Sequence, residues 1–187
     1  MKDISFFFNP KSIAVIGASP IPGKLSNVVL KSLKEGYKGE IYPVNPKYDS
    51  IDELRCYQSA RDIKKAVDVA IVIVPSNAVL QTLDDVVNAK AKGAIVVSAG
   101  FKETDSKGAD MEKAMKDIAV NKGLRIIGPN CMGLYDSFSG VDTFFIPRER
   151  LERPGKGGLS IVSQSGSFAL SIMDTLAMEG IGVARVI

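Results

Sequence analysis

At 187 residues the chain has room for one compact domain and part of another, and 45% hydrophobic with 24% charged residues is the make-up of a folded globular protein, not a disordered one. A net charge of +3, with lysines interleaved among acids, leaves no electrostatic footprint for nucleic acid, and the absence of histidine beside only two cysteines, Cys56 and Cys131, supplies too few soft ligands for a metal such as zinc. No apolar run approaches the ~20 residues of a membrane span, and the start, Met1-Lys2-Asp3 leading into Phe6-Phe7-Phe8-Asn9-Pro10, lacks a signal-peptide core, so the expectation is a cytoplasmic protein with reduced, structural thiols.

Short β-branched runs alternate with helical patterns, which predicts βαβ units and an α/β fold with a mostly parallel, doubly wound sheet. Ser12 to Gly17 predicts the first strand, and Leu25, Val28, Val29 and Leu33 repeat at helical spacing until Gly36. Glu40 to Val44 predicts the second strand. Val67 to Val74 is apolar almost throughout, with Asp68 inside it, and predicts a central strand covered on both faces and ended by Pro75. Val79, Leu83, Val86 and Val87 mark a helix running to about Lys92; Ala94 to Ser98 is the fourth strand; Met111, Met115, Ile118 and Ala119 line the next helix; Leu124 to Ile127 is the fifth strand. The spacing thus predicts a first domain over 1–130 and a connecting segment over 131–154. Arg148 to Gly158, rich in charge, proline and glycine, reads as linker within and beyond that segment. Residues 155–187 form one βαβ pattern: a strand at Leu159 to Val162, a helix from Gly166 to Glu179, and an apolar run at Val183 to Ile187. One such unit is too little to bury both faces of its own sheet, so it reads as a truncated second domain, whose exposed edge favours self-association into a homo-oligomer.

Several loops at strand ends suit a ligand. Gly17-Ala18-Ser19-Pro20-Ile21-Pro22-Gly23-Lys24 leads from the first strand into a helix, where an α/β fold presents backbone N–H groups and a positive dipole end to a phosphate. Position 19 is serine, so the dinucleotide fingerprint fails; five residues separate Gly17 from Gly23, so the Walker loop fails too. A plain strand-to-helix turn is the alternative reading. After the second strand, in Val44-Asn45-Pro46-Lys47, Lys47 stands where a cation accommodates a phosphorylated ribose, which points to NADP or to coenzyme A; the alternative is a solvated lysine. Val74-Pro75-Ser76-Asn77 and Ser98-Ala99-Gly100-Phe101 close the third and fourth strands on the same edge, with Ser76 or Asn77 as a helix cap and Phe101 as core being the other options. Ser163-Gln164-Ser165-Gly166-Ser167 is a second anion candidate, or a helix cap. Without histidine and without G-x-S-x-G it is no nucleophile elbow.

Taken together, Phe7-Phe8-Asn9-Pro10-Lys11-Ser12-Ile13-Ala14-Val15-Ile16-Gly17-Ala18-Ser19 with Pro22-Gly23-Lys24, Ile41-Tyr42-Pro43-Val44-Asn45-Pro46-Lys47, Val97-Ser98-Ala99-Gly100-Phe101-Lys102-Glu103, Arg125-Ile126-Ile127-Gly128-Pro129-Asn130-Cys131 and Ile161-Val162-Ser163-Gln164-Ser165-Gly166 resemble, in the same order, the start of the ADP-forming acetyl-CoA synthetases. These are NDP-forming acyl-CoA synthetases, related more widely to the α subunit of succinyl-CoA synthetase. The resemblance implies a Rossmann-like domain that binds coenzyme A, followed by the incomplete start of a flavodoxin-like domain. It also implies an acid-thiol ligase that interconverts acyl-CoA, NDP and phosphate with acid, NTP and CoA. By the same resemblance Gly17, Ala18, Ser19, Pro22, Gly23 and Lys24 meet the CoA diphosphate, Asn45 and Lys47 the nucleotide end, and Val74, Pro75, Ser76, Ser98, Ala99 and Gly100 the adenosine and pantetheine. Asn130 and Ser163, Gln164, Ser165, Gly166 and Ser167 face a phosphate. The family's phosphohistidine has no counterpart here, so the piece alone is expected to be inactive and to need an ATP-grasp domain or subunit as partner. Phe168-Ala169-Leu170-Ser171 departs from the tyrosine that follows the serine loop in succinyl-CoA synthetase. The other readings are a stand-alone CoA-binding regulator, the CoA-binding part of a protein acetyltransferase, and an NADP-linked oxidoreductase domain.

Overall fold

The computed structural model describes residues 3–187; Met1 and Lys2, on which the reading of the amino terminus began, lie outside the described residues. In chain order the elements are β1 (Ser12–Ile16), α1 (Leu25–Gly36), β2 (Glu40–Val44), β3 (Ser50–Ile51), β4 (Leu54–Arg55), β5 (Val69–Val72), α2 (Ser76–Asn88), β6 (Gly93–Val96), α3 (Ser106–Lys122), β7 (Arg125–Ile127), β8 (Tyr135–Asp136), β9 (Val141–Asp142), β10 (Lys156–Ile161), α4 (Gly166–Met178) and β11 (Val183–Val186).

Strands β1, β2, β5, β6 and β7 form one parallel sheet in the order β2-β1-β5-β6-β7. Alternation along the strands divides the core in two. Ile13, Val15, Val69, Ile71 and Ile95 face Val29, Leu30 and Leu33 of α1, while Ala14, Ile16, Ala70, Val72, Ala94 and Val96 face Val79, Leu83 and Val86 of α2 and Met115 of α3. Both faces are covered, which is why the strands read as unbroken apolar runs. The predicted central strand is central, and it is shorter than its apolar run because Asp68 precedes it and Pro75 follows. The chain winds from β1 out to β2, then returns to β5 beside β1, so the order reverses between β1 and β5.

Asp68 ties the starts of three strands together. Its Oδ2 accepts from the Lys11 amide (2.6 Å) just before β1, its Oδ1 pairs with Lys92 Nζ (2.7 Å) just before β6, and its own carbonyl accepts from the Lys92 and Gly93 amides. Burial by itself would raise this carboxyl, but the Lys92 ammonium and the Lys11 amide outweigh it and hold the group below the usual carboxylate range. A depressed folded-state pKa means that the stabilisation is complete above pH ~4 and is lost as pH falls through and below that value. Asp68→Asn is therefore expected to cost about 2 kcal/mol at pH 7. The gap between the two proteins should shrink in urea titrations near pH 3, and a gap that is the same at both pH values would contradict the assignment.

The second sheet differs from expectation. Residues 131–154 were expected only to connect, yet β8 and β9 from this segment pair with each other and with β11, giving the order β10-β11-β8-β9 with β10 and β11 parallel and the remaining pairs antiparallel. Two-residue strands are too short to show alternation. The charged stretch after them is more than a linker as well. Arg153 lies buried on Asp142, and Lys156, Gly157 and Gly158 belong to β10.

Candidate ligand cleft

Gly17 ends β1 with φ +84°, and a Cβ there would lie 2.1 Å from the Ile73 carbonyl oxygen, so the carboxyl ends of β1 and β5 approach as only glycine permits. The turn that follows is tied from two sides. The Gly17 and Ala18 amides donate to the Val44 carbonyl (2.9 and 3.2 Å), and Asn45 Nδ2 donates to the Ala18 carbonyl (2.8 Å) while its Oδ1 accepts from the Lys47 amide (3.0 Å). From the helix side, buried Asn27 Nδ2 donates to the Ser19 carbonyl (3.1 Å), and Ser19 Oγ accepts from the Ile21 amide (3.2 Å).

Helix α1 then begins with no side-chain cap and no acid in its first turn. The amides of Gly23, Leu25 and Ser26 meet no acceptor among the described residues. By contrast, α3 is capped by Asp105 on the Gly108 amide (2.8 Å) and α4 by Ser165 on the Phe168 amide (3.4 Å). The start of α1 opens into a cleft of about 420 Å3 lined by Gly17, Ser19, Gly23, Lys24, Leu25, Ser26, Asn45, Lys47, Tyr48 and Ile73. It lies where the strand order reverses, its wall holds two lysines and no acid, and its free amides sit at the positive end of a helix dipole. This donor set suits the phosphate oxygens of a nucleotide.

The cleft brings Gly17, Ser19, Gly23, Lys24, Asn45 and Lys47 together, and it adds Leu25, Ser26, Tyr48 and Ile73, which the sequence reading passed over. Asn27 was missed as well; its role rests on burial and on its bond to the Ser19 carbonyl, for which the sequence of α1 holds no local signal. Ala18 does not line the cleft: its side chain is in the core, and both its backbone polar groups are bonded within the fold. Pro22 is exposed beside the cleft. Asn45 lines it, but its amide is engaged in holding the two turns in place.

The ends of β5 and β6 form a neighbouring patch. Ser98 Oγ donates to the Val74 carbonyl (2.6 Å) and accepts from the Val74 amide (3.2 Å), and a Cβ on Gly100 would lie 2.9 Å from Ser76 Oγ. Pro75 stands at the cap position of α2 and Ser76 inside the helix, so neither Ser76 nor Asn77 takes the capping role. Ala99 is exposed, whereas Phe101 is wholly buried and belongs to the core. The amides of Gly100 and Phe101 both donate to Glu103 Oε1 (2.7 and 3.1 Å), which holds that carboxyl below its usual range.

Asn130, in left-handed backbone at φ +52°, donates its amide to the Ser98 carbonyl (3.0 Å) and shares a cavity of about 540 Å3 with Ser163, Gln164 and Gly166. Ser165 and Ser167 do not line it; Ser165 caps α4. Cys131, in the same wall, donates its thiol to the Val96 carbonyl (3.3 Å), and burial pushes the thiol up to about 11, which keeps it protonated. A further cavity of about 880 Å3 lies between α3 and the edge strand β7, with Phe7, Phe8, Met115 and Leu124 in its wall, and it includes none of the residues selected from sequence.

An open parallel sheet with an uncapped, lysine-flanked helix start at its reversal point defines a Rossmann-like nucleotide-binding domain. Residues 11–136 match the CoA binding domain family; the chain belongs to it, and the ligand of the domain is coenzyme A. The chain is 37% identical over 185 residues to an ADP-forming acetate–CoA ligase of Methanocaldococcus jannaschii, covering 99% of this chain and 25% of that protein. It is 39% identical over 184 residues to the ADP-forming acetate–CoA ligase II subunit alpha of Pyrococcus furiosus, covering 98% and 39%. Among solved structures it is similar to the dinucleotide-forming acetyl-coenzyme A synthetase 1 of Ca. Korarchaeum cryptofilum in complex with phosphate and ADP, with a TM-score of 0.91 and 35% identity, covering 100% of this chain and 39% of that one. The chain thus spans between 25% and 39% of the length of these relatives.

Proposed function

We propose that the chain is the CoA-binding part of an ADP-forming acyl-CoA synthetase of the acetate–CoA ligase type, an acid-thiol ligase working with acyl-CoA, NDP and phosphate in one direction and acid, NTP and CoA in the other. The observation that carries this is the cleft at the reversal point, with Lys24, Lys47 and three free amides converging on it. In this reading the amides of Gly23, Leu25 and Ser26, with Lys24, hold the CoA diphosphate, and Lys47 pairs with the 3′-phosphate. Val74, Pro75, Ser76, Ser98, Ala99 and Gly100 flank the path of the adenosine and pantetheine. Asn130 and the Ser163–Ser167 loop take a phosphate, with Ser163, Gln164 and Gly166 lining the cavity beside Asn130 and Ser165 holding the loop, its hydroxyl on α4 and its amide on Ser163 Oγ. Coenzyme A supplies the thiol that receives the acyl group; what this chain does is bind and orient it. Having no histidine, the chain itself carries no phosphohistidine; in this reading that residue belongs to another part of the parent enzyme, and nucleotide binding to an ATP-grasp domain or subunit. Assignment of residues 155–187 to the opening of a flavodoxin-like domain, a cytoplasmic setting and assembly into a homo-oligomer belong to the same proposal.

Calorimetric titration tests the cleft. CoA is expected to bind about tenfold more tightly than dephospho-CoA, with Lys47→Ala removing most of that preference. Equal affinities in the wild-type chain would remove the role of Lys47, and no binding of either would remove the cleft.

A further inference from the structure

We propose that the turn between β8 and β9, together with Arg148, positions α1 for its ligand, so that coenzyme A binding and closure of the second sheet stabilise each other. This rests on the placement of coenzyme A given above. The free amides serve a diphosphate only if α1 as a whole is held in place, and while Val44, Asn27 and Asn45 tie the turn before it, the body and far end of the helix pack on the segment expected to be a linker.

Three contacts carry the inference. Leu134 and Val141, on either side of the β8–β9 turn, are buried in one cluster with Val29, Leu30 and Leu33 of α1. At the end of α1, Gly36 and Gly140 meet backbone to backbone: a Cβ on Gly140 would lie 2.2 Å from the Gly36 carbonyl oxygen, and one on Gly36 would lie 2.8 Å from that of Gly140. Gly140 also has φ +74°, so glycine is required there for space and for conformation. Finally, Arg148 bridges the two units, its Nη2 donating to Asp142 Oδ2 of β9 (3.0 Å) and its Nε lying 3.4 Å from Glu35 Oε2 of α1. Beside this bridge a cavity of about 210 Å3 runs along α1, with Arg148 and Lys31 in its wall, and reaches Gly23, which also lines the ligand cleft.

An opening of the β8–β9 turn that frees α1 also disorganises the cleft. A ligand that binds only the intact cleft raises the free energy of every such opening. Amides that exchange through it should slow by about hundredfold when the ligand is present at a hundred times its Kd, while amides that open independently should not respond.

Hydrogen–deuterium exchange of the 187-residue chain, with and without CoA at that concentration, reads this directly. Expected are about hundredfold slowing over residues 17–28 and also over 134–142 in the wild type. In Arg148→Met the response over 134–142 should fall below about threefold while that over 17–28 persists, and Arg148→Lys should recover part of it. Gly140→Ala should behave as Arg148→Met, unless it fails to fold, in which case Arg148→Met decides. Slowing confined to 17–28 in the wild type would overturn the coupling and leave the CoA cleft standing. An undiminished response in Arg148→Met would remove Arg148 from it. Absence of slowing anywhere would instead count against the CoA cleft itself.

Discussion

Arg153→Met is expected to lower the unfolding free energy by about 3 to 5 kcal/mol, as removal of one partner from a buried ion pair does. Both partners are out of solvent, the Asp142 side chain at 0% exposure and the Arg153 side chain at 2%. The Arg153 guanidinium donates to Asp142 Oδ2 (2.9 Å) and to the Leu151 and Ile146 carbonyls (2.6 and 2.8 Å), and it sits 5.4 Å from the centre of the Phe144 ring. Methionine fills much of the space but leaves two carbonyls unpartnered and leaves the carboxylate with Arg148, whose side chain is 36% exposed. A domain's whole stability is on the order of 5 to 15 kcal/mol, so the loss should be plain in urea denaturation. Arg153→Met combined with Asp142→Leu should recover only part of it, because a buried pair exchanged for apolar groups is often neutral but the Leu151 and Ile146 carbonyls and the Phe144 amide, which donates to Asp142 Oδ1, are left unpartnered. A single-variant loss under about 1 kcal/mol would mean that the buried pair contributes little and that the segment behaves as the linker its composition suggests.

Gly17→Ala is the second large effect expected, and Gly23→Ala is its control. Both glycines have positive φ, +84° and +82°, so both substitutions incur about 1 to 2 kcal/mol of left-handed strain. They differ in surroundings. A Cβ at position 17 would lie 2.1 Å from the Ile73 carbonyl oxygen and 2.9 Å from the carbonyl carbon, whereas at position 23 nothing lies within 4 Å. Gly17→Ala must therefore push β1 and β5 apart at their carboxyl ends, where the cleft lies. Its expected signature is a stability loss of at least about 3 kcal/mol with CoA affinity down more than tenfold. Gly23→Ala should lose about 1 kcal/mol and fold normally. Thermal melts and calorimetric titration separate the two, and equal effects would show that close approach of the strands is not what position 17 demands.

What could be read without coordinates follows from how local each signal is. Strands β1, β5 and β6 sit between two helical layers, so every residue in them is buried and the run itself announces the strand. Gly17 and Lys24 were readable because a strand-to-helix turn places amides and a dipole end at a known point of an α/β sheet. Lys47 acquired meaning from its position after the second strand, and the structure brings it into the same cleft as Lys24.

Other properties belong to partners distant in sequence. Asn45 lines the cleft, but that its amide is taken by Ala18, twenty-seven residues earlier, shows only in the folded chain. Arg148 and Arg153 look solvated until Asp142 is found buried between them, and β8 and β9 are invisible until β11 arrives to pair with them. The amino-acid sequence by itself determined the parallel α/β sheet and the glycine-bearing strand-to-helix turn, since period and turn chemistry act over a few residues, and the ligand was implied only by the resemblance that its motifs carry along the chain. The tertiary structure alone decided which polar side chains are spent on the fold, which remain free, and that the apparent linker supports α1, because burial and hydrogen-bond satisfaction depend on neighbours that only folding brings together.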